Sequence, residues 1–159
     1  MAKHFVNKLR DALITFQVHR LALPLVKHIT KPVKVPFALQ KLAAFPEGSL
    51  GRDLFLFLEK HDLQLLPHFE THDVKHVLLG YGIGGKDEGC MQFFYVGNRH
   101  YSPASLMTVA VSLLLMPEHI RDFIKAFRRG RSVPAIGKLP LETMLHEPTF
   151  SLREKFQIV

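Results

Sequence analysis

The residues best placed to do chemistry lie between Thr71 and Glu88, in the run THDVKHVLLGYGIGGKDE. On a helix of about 3.6 residues per turn, His72, Asp73 and His76 fall at roughly 0°, 100° and 40° around the axis. One helix face thus presents two imidazoles and a carboxylate. Such groups are zinc ligands, and sets of two histidines and one carboxylate with open positions also hold iron or manganese. The ligand types alone do not choose among these ions. The plain alternative is that His72 and His76 are polar residues on a half-exposed helix.

A fourth ligand lies within reach. Gly80, Gly82, Gly84 and Gly85 crowd the stretch after the helix, a composition that suits a reversal needing permissive φ angles. At about 1.5 Å of rise per residue, the outgoing helix climbs about four residues above His76 and the return helix descends a similar distance by Glu88. This predicts Glu88 level with His76. Its place in the first turn of the return helix, beside the partial positive charge of the helix end, favours the ionised carboxylate. The divalent-metal site expected from sequence is therefore His72, Asp73, His76 and Glu88. If all four bind, the ion is structural. If Asp73 instead orients a histidine from behind, one position is open to water or substrate.

The full spacing H-D-x2-H-x11-E, with Gly80-Tyr81 inside the interval, resembles the signature of the coenzyme Q biosynthesis protein 4 family. Upstream, Pro46 to Arg52 (PEGSLGR) is similar to the family's P-x-G-[ST]-L-G-R segment, which precedes a helix ending in an F-L pair, here Phe57 and Leu58. Downstream, Gly130-Arg131 and Leu152 to Ile158 (LREKFQI) resemble the family's closing segments, so the likeness spans residues 37 to 158. It implies a helical, peripheral membrane protein that handles a polyprenylated quinone precursor at a zinc-type site formed by His72, Asp73, His76 and Glu88. The activity it implies is oxidative removal of the ring carboxylate at carbon 1 with hydroxyl replacement, the metal polarising carboxylate and phenol oxygens as a Lewis acid. The chain also departs from the family pattern. Lys75 stands where an aromatic residue, commonly Trp, separates the histidines, and the sequence has no Trp at all.

The elements that must position these groups all read as helices. Ser49 is a candidate N-cap for a helix from Leu50 to Lys60, whose Phe55 to Leu58 block is apolar on every side and predicts a largely buried helix. Phe37 to Phe45 reads as a short helix ended by Pro46. Pro67 suits the first turn of the His72 helix. The return helix is expected from Lys86 to Gly97, with Met91, Phe93, Phe94 and Val96 in the core, and Gln92 and Tyr95 on the side of Glu88. Ser102-Pro103 opens a helix that Leu106, Val109, Ala110, Leu113 and Leu114 mark as central. Pro117 opens another, striped by Ile120, Phe123, Ile124 and Phe127 and ended by Arg128 to Arg131. Short segments at Leu141 to His146 and Ser151 to Gln157 finish the chain. No stretch alternates as a strand must. The expected fold is an all-α, single-domain bundle of seven to nine helices, with the metal site on a central helix hairpin.

With 159 residues, 47 % of them apolar, the chain can bury a core. The lone cysteine, Cys90, excludes an internal disulfide and reads as a small buried apolar residue. The formal charge is +7, and residues 1 to 41 hold eight Lys or Arg against Asp11 alone, so the excess lies at the start of the chain. There, Phe5, Leu9, Leu13, Phe16 and Leu23 stripe a basic amphipathic helix, and TKPVKVP follows as an extended linker. The region 1 to 36 thus forms a basic arm ahead of the core at 37 to 159. It suits an anionic membrane surface, as does Lys27, Lys31 and Lys34, and equally a packed helix with a solvated basic face. Aromatic residues do not interleave with the basic ones and no known binding motif appears, which makes nucleic acid a poorer partner. The longest apolar run, Leu106 to Met116, falls short of the ~20 residues of a spanning helix, and no secretory signal is evident. An intracellular location, cytoplasmic or peripheral to a membrane, is expected.

Three functions follow from these residues. One is a metal-dependent enzyme of quinone-precursor maturation, in which Arg52, Tyr95, Arg128 and Arg131 are candidate lipid or anion contacts. A second is a non-catalytic lipid-binding scaffold with a structural metal. The third is an HD-type phosphohydrolase, which would need His61 or His68 with Asp122 beside the His72-Asp73 doublet. Expected partners are a prenylated quinone precursor or other isoprenoid lipid, an anionic membrane surface, other quinone-biosynthesis proteins, and a second copy in a homodimer.

Overall fold

The computed structural model describes residues 39–65, 70–136 and 139–158. The expected basic helix at the start of the chain, its linker, the boundary at residue 36, Pro67 and His68 lie outside them. Among the described residues the α-helices are α1 (Leu39–Ala43), α2 (Leu50–Lys60), α3 (Glu70–Leu79), α4 (Gly85–Gly97), α5 (Pro103–Leu115), α6 (Ile120–Ser132), α7 (Leu141–Met144) and α8 (Thr149–Lys155). A 3-10 turn at Pro117–His119 precedes α6, and β pairing among the described residues is an isolated bridge between Ser49 and Pro148. The class is all-α. Backbone proximity sorts the chain into two compact units, one containing Gly82–Ser132 and the other Lys31–Tyr81 with Val133–Val159.

In the second of these, α2 begins because Ser49 caps it. Ser49 is extended (φ −75°, ψ 154°) and its hydroxyl accepts the Arg52 N–H at 3.3 Å. Leu50, Leu54 and Leu58, spaced by four, form its buried stripe. The helix is less buried than expected. Leu56 is 45 % exposed and Phe55 and Phe57 are half-buried, because the face that packs fully runs through Leu50, Leu54 and Leu58. The chain before α8 runs back along the start of α2. Leu50 donates to the Glu147 carbonyl and Gly51 to that of Leu145, both at 2.9 Å, and the Thr149 hydroxyl reaches Asp53 at 2.6 Å.

The same unit holds the end of α3. A helix leaves its last carbonyls without intrahelical partners. Here Arg153 of α8 donates to Val77 O at 2.9 Å and Leu78 O at 3.0 Å. Gly80, at φ +74°, then turns the chain with its N–H on His76 O at 2.9 Å, the left-handed ending that glycine permits. The helix thus stops where the glycine cluster predicted, and a side chain about 75 residues away clamps it.

In the unit containing Gly82–Ser132, α4 packs on both α5 and α6. Backbones meet where α4 crosses α6. A Cβ on Gly97 would lie 2.1 Å from Phe127 O, and one on Gly130 2.0 Å from Phe94 O. Asn98 seals the crossing by donating to Gly130 O at 2.9 Å. Gly130 is therefore a contact point inside α6, not the helix end that its flanking arginines suggested.

Two expectations about burial are reversed. In α5 the buried residues are Ser105, Thr108 and Ser112, while Leu106, Leu113 and Leu114 are exposed. The reason is the closeness of the approach. A Cβ on Gly89 of α4 would sit 2.9 Å from both Ser112 Oγ and the Phe123 ring, so only small side chains fit on the inner face. In α6 the inner stripe is Phe123, Ala126 and Gly130, with Ile120 and Ile124 outside. Phe123 and Phe93 stack with parallel rings at 4.9 Å.

Candidate metal centre

The structure gathers His72, His76 and Glu88. One ligand atom from each lies within 4.8 Å of the others, a group that could hold a metal ion. Asp73 is half-buried on the same helix and is not part of that group.

Helical spacing makes the histidine pair. Four residues apart on α3, they bring Nε2 of His72 and Nε2 of His76 to 3.0 Å, with the rings edge-to-face at 4.7 Å. Two imidazole nitrogens this close must share something between them, either one proton or one cation. Nitrogens bound at ~2.1 Å to a common ion are separated by about 3.0 to 3.4 Å for angles from square to tetrahedral, so the observed spacing fits a shared ion. His76 is only 4 % exposed, and the Phe57 ring of α2 stacks on it at 5.7 Å. That packing fixes the ring plane and shields one face from water.

Glu88 occupies the first turn of α4, as its position predicts, and is 8 % exposed. A buried carboxylate requires compensation. Gln92, one turn on, donates from Nε2 to Glu88 Oε1 at 2.8 Å, which orients the carboxylate. The helix N-terminus adds a favourable partial charge. The donor set of two imidazoles and one oriented carboxylate fits a divalent cation of zinc, iron or manganese type.

The neighbouring groups are chemically quiet. Burial pushes the Cys90 thiol up to about 11, so it stays protonated and serves as the small apolar residue expected. Tyr95, also expected on the Glu88 side, is buried, and desolvation raises its phenol pKa. The other candidate contacts have structural partners or face outward. Arg52 donates to Ala43 O and lies over the Phe55 ring, while Arg128 and Arg131 are exposed on α6.

The phosphohydrolase arrangement finds no support among the described residues. Asp122 pairs with Lys86 and His119, His61 lies edge-on to Phe57, and neither joins the metal-holding group. Two contributors went unassigned from sequence, Phe57 and Arg153. Arg153 had a legible signal, since a cation suits helix-end carbonyls, but nothing local said which helix.

No protein-family model matches the chain, and no curated protein matches it. Among solved structures, the chain is similar to a protein from Nostoc punctiforme provisionally described as a ubiquinone biosynthesis protein. The TM-score is 0.64 at 20 % identity, over 96 % of this chain and 81 % of that one. At that identity the likeness establishes a shared helical fold.

Proposed function

We propose that this chain is a metal-dependent protein of ubiquinone-biosynthesis type that binds a polyprenylated ring acid and acts in decarboxylation and hydroxylation at ring carbon 1. The observation that carries this reading is the His72, His76 and Glu88 group, set on a fold shared with the Nostoc protein. The H-D-x2-H-x11-E spacing supports it independently of the coordinates. Zinc is the ion that the family resemblance favours, with iron and manganese as the other choices the donor set allows. When bound, the ion supplies Lewis acidity toward an acidic oxygen of the substrate.

The chain's own residues do the rest. Three protein ligands leave room in the coordination sphere for a substrate oxygen. Gln92 holds the Glu88 carboxylate in place, and Phe57 keeps the His76 ring oriented and partly dry. Asp73, close by in sequence on α3, is assigned as a further ligand or as an orienting carboxylate.

The test is elemental analysis of the purified chain, followed by incubation of the metal-loaded protein with a prenylated hydroxybenzoate-derived acid. With water as the source of the hydroxyl and a two-electron acceptor supplied in the assay, mass spectrometry should find a product that has lost the carboxylate as carbon dioxide and gained a hydroxyl. Bound metal without turnover would assign the chain as a lipid-presenting scaffold. Metal content that is unchanged in His76→Ala would remove the site.

A further inference from the structure

The outer surface of α5 and α6 has no part in the metal centre, and its composition is opposite to that of an ordinary solvated face. Helix α5 carries no charged residue along its thirteen positions, and its outward side presents Leu106, Leu113 and Leu114. Leu114 is 78 % exposed. Contiguous apolar surface of this kind marks a docking site. We propose that the outward face of α5, with the Ile120–Ile124 edge of α6, docks on an anionic lipid bilayer and lies within its headgroup layer.

Length argues for lying along the bilayer and against crossing it. No single helix among the described residues is long and apolar enough to span a membrane. At about 1.5 Å per residue α5 measures roughly 20 Å, against a hydrocarbon core of about 30 Å. The pair Pro103–Leu115 and Pro117–Ser132 together has the length and composition of a bent span, but it bends by 105°, and a crossing would take the cations of α6 into hydrocarbon.

Charge identifies the partner. Helix α6 holds Arg121, Lys125, Arg128, Arg129 and Arg131 against the single acid Asp122. Placing Ile120 at 0° on the helical wheel puts Ile124 at roughly 40°, Arg128 at 80°, Arg121 at 100° and Lys125 at 140°. Asp122 falls at roughly 200°, on the far flank, where it faces Lys86 and His119. The exposed isoleucines are thus bordered by cations, and the acid is turned away. An apolar edge beside a row of Lys and Arg is the make-up of an interfacial helix on anionic lipid. A second copy of this chain is a poorer occupant. A twofold contact would pair two faces that are both bordered by cations, with Asp122 on the far flank of each and no acid on the face to offset them.

The experiment is co-sedimentation of the full chain with phosphatidylcholine vesicles, with and without phosphatidylserine. Binding is expected to require phosphatidylserine and to weaken with salt. Leu114→Glu should lower vesicle affinity by a factor of roughly ten or more, and Lys125→Ala by about fivefold. Leu56→Glu and Phe150→Glu, at exposed apolar positions of the other unit, should leave binding unchanged. All four positions are exposed, so helical circular dichroism and the melting temperature should match the parent. Vesicle binding that survives Leu114→Glu would overturn the proposal, whatever other segment then proves responsible. So would a parent chain that ignores vesicles but forms a dimer broken by Leu114→Glu, which would give this face to a second copy.

Discussion

Helices α4 and α5 are neighbours of equal length in one unit, and they break the usual inside-outside rule in opposite directions. Helix α4 buries a carboxylate, Glu88, while α5 leaves Leu114 in the open and turns Ser105, Thr108 and Ser112 inward. Burying the Glu88 carboxyl group costs free energy that its partners must offset, here a helix N-terminus and Gln92. Exposing Leu114 merely forgoes the ~1.5 to 3 kcal/mol that a buried leucine contributes. The first inversion is compensated locally, whereas the second is compensated by whatever covers the face. A buried carboxyl with dedicated partners points to chemistry, and an uncovered apolar face points to a surface to be met.

The most severe way to break the comparison is to remove the close packing that forces α5 to turn its small residues inward and α6 its glycine. Gly130→Val would drive a Cβ into Phe94 O, and backbone cannot give way as a side chain can. Unfolding in urea should show a loss above about 3 kcal/mol, beyond the ordinary cost of overpacking, or the variant should fail to accumulate as folded protein. A midpoint close to the parent's would mean the helices can separate without penalty.

The next two outcomes concern the buried polar side of the comparison. His76→Ala should reduce divalent-metal affinity by more than about 100-fold, measured by competition with a chelating dye. Gln92→Leu keeps the ligands but frees the carboxylate to rotate, and should cost about 10- to 100-fold in the same assay. If Gln92→Leu binds metal as the parent does, the hydrogen bond to Glu88 is mere packing and the compensation lies elsewhere. The smallest effect is expected outside. Leu114→Ser should change folding stability by no more than about 0.5 kcal/mol in thermal melts, as for other surface positions. A larger loss would show that this leucine already has a partner in the isolated chain.

Much of the site was legible because its spacing is local. His72 and His76 are four apart, and a helix brings residues four apart together whatever surrounds it. Gly80 marks a turn because the left-handed φ it adopts suits glycine. Ser49 and Ser102 were readable as caps for the same reason, since a cap bonds to a backbone N–H three residues away. Asp73, at roughly 100° from His72 on the wheel, lies on the same helix and outside the three-residue group.

Burial was the part that composition misrepresented. A run such as Leu106 to Met116 looks like a core helix, and hydropathy has no means of registering that Gly89 brings α4 too close for a leucine. The same holds for the apolar block Phe55 to Leu58, of which only Leu58 is fully buried, while Phe57 stacks on His76 and Leu56 is exposed.

The amino-acid sequence by itself determined the helices, their caps and turns, and the pairing of His72 with His76, because each depends on atoms a few residues apart. Only the tertiary structure decided which face of each helix is inner, that Arg153 clamps the end of α3, and that Phe57 covers His76. Those outcomes depend on which surfaces approach and how closely, and distant segments set that distance together.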